Sequence, residues 1–201
     1  MQPKKDAPGA PRRSDAQRNR ERILEVALAE LTRDADAPLS RIAKKAGVGQ
    51  GTFYRNFPSR EALVLEVYRH EMQQVADSAD ELLRGHAPEQ ALRAWMDHLA
   101  RFAMTKAGLA DALRQATSAP GGPAKPSPVP VAQAADRLLR ANEKAGTIRP
   151  GVQAEDFLLA IAGLWQIGAQ ENAYARATRL LDLVMDGLRA GAPASRGNAG
   201  G

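Results

Sequence analysis

Residues 38–57 read PLSRIAKKAGVGQGTFYRNF. Leu39 to Ala46 has the composition of a short helix, Gly47 breaks it, and Gln50 to Phe57 forms a second short helix that Pro58 stops. Two helices of about two turns each, joined at Gly47-Val48-Gly49, have the length and turn chemistry of a helix-turn-helix, whose second helix enters the major groove of DNA. Ala43 is small where the helices must approach, and Gly47 can take the positive φ of the turn. Ile42, Val48, Phe53 and Phe57 can close a small core. Gln50, Thr52, Tyr54, Arg55 and Asn56 stay outward and supply amide, hydroxyl, phenol and guanidinium groups suited to base edges and phosphates. Gly49 and Gly51 each cost about 1 kcal/mol of helix propensity against Ala, which a merely solvated hairpin would not need. Gly51 lets the helix backbone enter a groove deeply.

Outward from this segment the period is helical throughout, with no alternating Val/Ile/Thr run that reads as a strand. The expectation is an all-α chain of about nine helices. The first opens at Ser14, where Ser14 and Gln17 have capping-box spacing, and carries Ile23, Leu24, Ala27, Leu28 and Leu31 to about Arg33. Ser59 caps a long fourth helix that reaches about Arg84, and a fifth after Pro88 carries Trp95, Leu99 and Phe102. A sixth runs from about Gly108 to Thr117. Ser118 to Pro130, with five prolines and two glycines, is a loop. Helices at Val131–Ala145, Ala154–Asn172 and Arg176–Ala190 complete the series. The domain reading is a disordered basic tail at 1–13, a helix-turn-helix domain at 14–60, a ligand-binding and dimerisation domain at 61–190, and a disordered tail at 191–201.

Of 201 residues, 28 are Lys or Arg and 23 Asp or Glu, a net charge of +5. The first 60 residues carry +6 and the remainder −1, so the excess positive charge accompanies the helix-turn-helix, as a polyanion-binding module requires. The absence of cysteine excludes disulfides, thiolate metal sites and cysteine nucleophiles. The longest apolar run, Phe157 to Trp165, falls well short of the roughly 20 residues of a membrane span, and the N-terminus lacks an apolar signal core. A cytoplasmic protein without membrane contact is expected.

Residues 16–68 resemble the DNA-binding domain of the TetR family of bacterial transcriptional regulators, through Ile42-Ala43, Ala46-Gly47-Val48, Gln50 to Pro58 and Ser59 to Leu63. The resemblance implies a sequence-specific, ligand-responsive repressor that binds a near-palindromic double-stranded operator as a homodimer. It also implies roles position by position. Ser40, Gln50 and Gly51 face bases. Thr52, Tyr54, Arg55 and Asn56 contact mainly phosphates, with Tyr54 or Arg55 as alternative base contacts. Arg60, at the start of the fourth helix, stands where the family usually has lysine, beside a phosphate. Arg41 and Lys44 are candidates from charge alone. Pro38 and Gly49 replace hydroxyl residues common in the family.

AGTIRPG, residues 145–151, followed by a long apolar helix, resembles the effector and dimerisation domains of many family members. The eighth helix is apolar on nearly every face, and the ninth has one apolar stripe. The dimer interface is expected from Phe157, Ile161, Gly163, Leu164, Leu181, Val184 and Leu188. Trp95, His98 and Phe102 fall within about 60° on the fifth helix. With Trp165 opposite, they are expected to line a pocket for a small-molecule effector. No cofactor or metal is expected, and the chain does not read as an enzyme, because His98 and Asp97 are adjacent on a helix and cannot face each other. The alternative is a helical adaptor or ligand-binding protein without specific DNA binding.

Overall fold

Helix boundaries follow local chemistry that can be checked bond by bond. The computed structural model describes residues 11–118, 123–124, 128–163 and 172–193, and among these it contains nine α-helices and no strand. α1 (Pro11–Arg33) starts a turn earlier than Ser14. Proline suits a first helical turn, where its missing N–H has no partner to lose, so Ser14 lies inside the helix instead of capping it, and residues 11–13 are helical, not tail. α2 (Leu39–Lys45) and α3 (Gln50–Asn56) follow as expected. Ser59 accepts the Ala62 N–H on its Oγ at 3.1 Å and caps α4 (Arg60–Gly85). α5 (Pro88–Thr105) and α6 (Ala107–Ser118) come next, and α7 (Val129–Ala145) begins two residues before Val131 with Pro130 in its first turn. α8 (Ala154–Ile161) ends sooner than the expected Ala154–Asn172, with Ala162 at its C-cap donating to Leu159 O, and residues 164–171 lie outside the described residues. α9 (Ala173–Arg189) opens a turn before Arg176. Residues 1–10 and 194–201 also lie outside. Ala192, read as tail, is buried, and its N–H donates to Arg189 O at 2.9 Å.

The chain divides into two compact units, Met1–Tyr68 with Gly108–Lys125, and Arg69–Ala107 with Pro126–Gly201. The sequence reading placed the division after residue 60 and gave the whole of 61–190 to the second domain, whereas α6 groups with the first. Gly108 is the reason. A Cβ there would overlap the carbonyl oxygens of Leu31 and Thr32, so α6 reaches the last turn of α1 because residue 108 has no side chain.

In the first unit, Ile23, Ala27 and Leu31 of α1, Ile42 and Ala43 of α2, and Phe53 and Phe57 are buried with Leu63 of α4 and Leu109 of α6. Gly47 takes φ +65°, with Val48 N donating to Ala43 O at 3.2 Å and Gly47 N to Lys44 O at 3.1 Å. These bonds satisfy two carbonyls that the end of α2 would leave open, and they aim the chain into α3.

In the second unit, α5 packs on α7 and α9, and α8 packs on α7 and α9. Asn142, fully buried on α7, donates to Pro88 O and Leu138 O at 2.8 Å each and accepts from Thr147 Oγ1 at 2.8 Å. Every polar atom of that amide therefore has a partner, which removes the cost of burying it. Arg93 to Asp182 and Arg189 to Glu89, both 2.6 Å, tie α5 to α9.

Candidate nucleic-acid interface

The α2–α3 turn fixes which side chains look outward. With Ile42, Ala43 and Phe53 turned into the core, the opposite faces of the two helices are left to polar groups. Ser40, Arg41 and Lys44 of α2 and Gly49 and Gln50 at the start of α3 line one open cleft of about 560 Å³. Ser40, Lys44, Gln50, Gly51, Tyr54 and Arg55 are exposed, and Thr52 and Asn56 are half-buried. Thr52 N and Phe53 N both donate to Gly49 O, so the N–H groups of Gln50 and Gly51 lie before the intrahelical ladder begins.

Several of these groups already have partners. Arg55 lies back along α3, with Nε donating to Gly51 O and Nη2 to Thr52 Oγ1, both at 3.1 Å. Asn56 donates to Thr52 O at 2.9 Å. Tyr54 and Phe53 meet edge to face, with ring centroids 5.7 Å apart, and Tyr54 remains exposed.

The charges of α2 divide. Arg41 Nε lies 2.9 Å from Glu30 Oε2 and its Nη2 2.7 Å from Asp34 Oδ2, while Lys45 Nζ is 2.7 Å from Glu30 Oε1. The Lys45 hydrogen bond, aided by the charges of Lys45, Arg41 and Arg33, holds the Glu30 carboxyl below its ordinary pKa. The Arg41 hydrogen bond does the same for Asp34. Arg41 and Lys45 are thus occupied in joining α2 to α1. Lys44, between them in sequence, lines the cleft and has no ion pair among the described residues. Charge alone ranked Arg41 and Lys44 together; the acids that separate them come from α1 and its following turn.

Arg60 is half-buried at the first residue of α4, and its guanidinium donates to Ala35 O and, at 2.7 Å, to Ala37 O. It closes the α1–α2 turn, so its guanidinium is engaged within the fold.

Comparison with known proteins agrees with this geometry. The family model for bacterial regulatory proteins of the tetR family matches residues 23–67, and that for the C-terminal domain of SbtR-like transcriptional regulators matches residues 87–190. A TetR transcriptional regulator from Streptomyces coelicolor is 42% identical with a TM-score of 0.71, over 85% of this chain and 98% of that one. The chain belongs to the TetR family. A TetR transcription regulatory protein from Mycobacterium vanbaalenii is 33% identical with a TM-score of 0.68, over 89% of this chain and 99% of that one. The transcriptional regulator FadR from Bacillus subtilis, solved in complex with stearoyl-CoA, is 15% identical with a TM-score of 0.56, over 83% of this chain and 98% of that one, and shares the fold. No curated protein matches. The protein is a DNA-binding transcriptional regulator of a family that is generally non-enzymatic. Among the described residues no helix is long and apolar enough to cross a membrane.

In this TetR-family chain the expected effector residues separate. Trp95 is completely buried, its indole N–H donates to Val75 O at 2.8 Å, and it is not among the residues lining the cleft beside it. His98 and Phe102, on the same helix, do line a cleft of about 260 Å³ with Glu71, Val75, Ser78, Arg101 and Lys106. His98 Nδ1 lies 3.3 Å from Ser78 Oγ, and Lys106 is ion-paired with the buried Glu71. Trp165 lies outside the described residues.

The expected dimer residues need a similar correction. Phe157, Ile161, Leu181 and Leu188 are all buried within one protomer, where they join α8 and α9 to the rest of their unit. Val184 is half-buried, Gly163 is exposed, and Leu164 lies outside the described residues. The apolar groups that face outward are Leu159 on α8, 75% exposed, and Leu183 on α9, 68% exposed, with Leu180 one turn before the latter. The regular apolar stripe of α9 is consumed by folding, and Leu180 and Leu183 stand outside it.

Proposed function

We propose that this regulator is a repressor that binds a near-palindromic operator as a homodimer and releases it when a small molecule occupies the cleft between α4 and α5. The observation that carries the DNA half of this reading is the outward face of α2 and α3, where Ser40, Lys44 and Gln50 share one cleft behind a Gly47 turn. An α-helix with such a face fits a major groove, Gln50 supplies the paired donor and acceptor that read a base edge, and Lys44 supplies a phosphate contact. Gly51 has no atom within 4 Å of where a Cβ would stand, so nothing inside the fold calls for glycine there; close approach to DNA does.

The dimer half rests on Leu159, Leu180 and Leu183, large apolar side chains left exposed on two helices that pack against each other. A two-fold axis there would build a four-helix interface and present two recognition helices to two half-sites about one helical turn apart or somewhat more. α4 runs through residues of both compact units, and a ligand touching Glu71, Val75 and Ser78 touches that helix directly. As a DNA-binding regulator the protein works in the cytoplasm.

The test is gel retardation of the DNA flanking the protein's own gene. A salt-sensitive, saturable shift that competitor DNA of unrelated sequence does not abolish is expected. Equal affinity for flanking and unrelated DNA would return the protein to a helical adaptor.

A further inference from the structure

We infer that the cleft between α4 and α5 selects a small monocarboxylate with an apolar body. The inference rests on the reading of that cleft as the effector site and adds to it the chemical class of the ligand. Three of its lining residues carry formally charged side chains: Glu71, Arg101 and Lys106. Glu71 is buried and paired with Lys106, which leaves the guanidinium of Arg101 as the lining cation without an ion pair among the described residues. The cleft therefore holds one net positive charge at rest. A monoanion brings the sum to zero. A cation would raise it to two in a partly desolvated space, where unbalanced charge is costly.

The remaining surfaces say what the anion is attached to. Val75 and Phe102 supply an apolar wall, and Lys106 Nζ stands 5.2 Å from the centre of the Phe102 ring. Ser78 and His98, hydrogen-bonded to each other across the cleft, add groups that can donate or accept hydrogen bonds. A carboxylate matches the planar fork of Arg101 through two parallel hydrogen bonds, and Lys106 can share its ammonium between Glu71 and the newcomer. The volume of about 260 Å³ lies just under the roughly 300–1,000 Å³ of pockets that bury drug-sized molecules, so the body is a single ring or a short chain.

The experiment is isothermal titration of the full-length protein with benzoate, benzamide and benzylammonium, which share a ring and differ in charge. Benzoate is expected to bind at least tenfold more tightly than benzamide, and benzylammonium more weakly than both. Arg101→Gln, at an exposed position, should cost benzoate at least tenfold and leave benzamide unchanged, and Arg101→Lys should restore part of the loss. Equal affinities for the three compounds, no benzoate binding at millimolar concentration, or an Arg101→Gln variant that binds benzoate normally would each overturn the inference. Repeating the titration on the operator complex separates it from the effector reading. Arg101-dependent benzoate binding that leaves the operator bound would defeat the effector role and keep the ligand class. Release by a neutral molecule, abolished in Phe102→Ala, would keep the role and defeat the class.

Discussion

Lys45 donates to Glu30 Oε1 at 2.7 Å, and that one hydrogen bond joins the last residue of α2 to the last turn of α1. Glu30 is among the few buried charged groups of the described chain, and Arg41 reaches its other oxygen at 2.9 Å. The helix-turn-helix is thereby held to its supporting helix by a carboxylate that must stay ionised.

The consequence is a pH dependence with a definite sign. The Glu30 pKa is lowered in the fold, chiefly by the Lys45 hydrogen bond, from an ordinary value of 4.5. A depressed carboxyl stabilises the folded state above the unfolded pKa, and that contribution disappears as the pH falls through the folded value. Asp34, lowered by Arg41, acts in the same direction. Thermal unfolding followed by circular dichroism between pH 7 and pH 3 should show a midpoint that drops below about pH 4.5. Glu30→Gln should lower the midpoint at pH 7 and flatten the acid limb. An identical acid limb in both proteins would mean that other carboxylates control it.

The glycines of the turn divide into two kinds, and substitution tells them apart. Gly47 has φ +65°, a conformation that costs an L-residue roughly 1 to 2 kcal/mol, so Gly47→Ala should destabilise the first unit by about that amount. Gly51 sits in α3 with ordinary helical geometry and open space around its missing Cβ. Gly51→Ala should raise stability by up to about 1 kcal/mol through helix propensity, while weakening operator binding. Urea melts and gel retardation on the same two variants check both halves, and a Gly51→Ala protein that binds its operator as well as wild type would remove the groove-approach argument.

Contacts with DNA should sort by their surroundings. Gln50→Ala is expected to lose about 1 to 3 kcal/mol of discrimination between operator variants. Lys44→Ala should weaken all duplexes alike and reduce the salt slope by about one, with no change in melting temperature. Arg60→Ala should behave differently from Lys44→Ala, because it abandons the Ala35 and Ala37 carbonyls. Hydrogen bonds from a charged donor contribute about 1.5 to 3 kcal/mol, so its lost affinity should be accompanied by a lower melting temperature. Titrations across a salt series, paired with thermal melts, separate the two lysine-like roles.

The helix-turn-helix was legible because its signals are local: a glycine at the one position that needs positive φ, apolar residues at Ile42, Phe53 and Phe57, and polar groups on what is left. Helix identity was legible for the same reason, through Ser59, Gly146 and the 3.6-residue period. Which neighbour covers an apolar stripe was not. Leu181 and Leu188 lie on the more regular stripe of α9, and regularity says only that something packs there; in the fold it is the protomer's own core. Trp95 shares a helical face with His98 and Phe102, yet Val75 O takes its N–H and draws the ring inward. The grouping of α6 with the first unit depends on Gly108 meeting two carbonyls of α1, some 76 residues earlier, and no local pattern encodes that approach.

The same division of stripes sets the last prediction, on assembly. Leu183 is 68% exposed on α9, and Leu181, two residues away, is 1% exposed in the core of the same unit. A carboxylate at position 183 meets water in an isolated protomer and an apolar partner face in a dimer, whereas a carboxylate at 181 is buried in either case. Leu183→Glu should therefore fold with a normal helical spectrum and run as a monomer of 21.5 kDa by light scattering, with operator binding reduced at least tenfold because the half-sites are no longer bound together. Leu181→Glu should fail to fold or melt far below wild type, since burying an unpaired charge costs several kcal/mol. A Leu183→Glu protein that remains dimeric would place the two-fold contact elsewhere on the chain, and a wild-type protein that is monomeric at micromolar concentration would remove the dimer altogether.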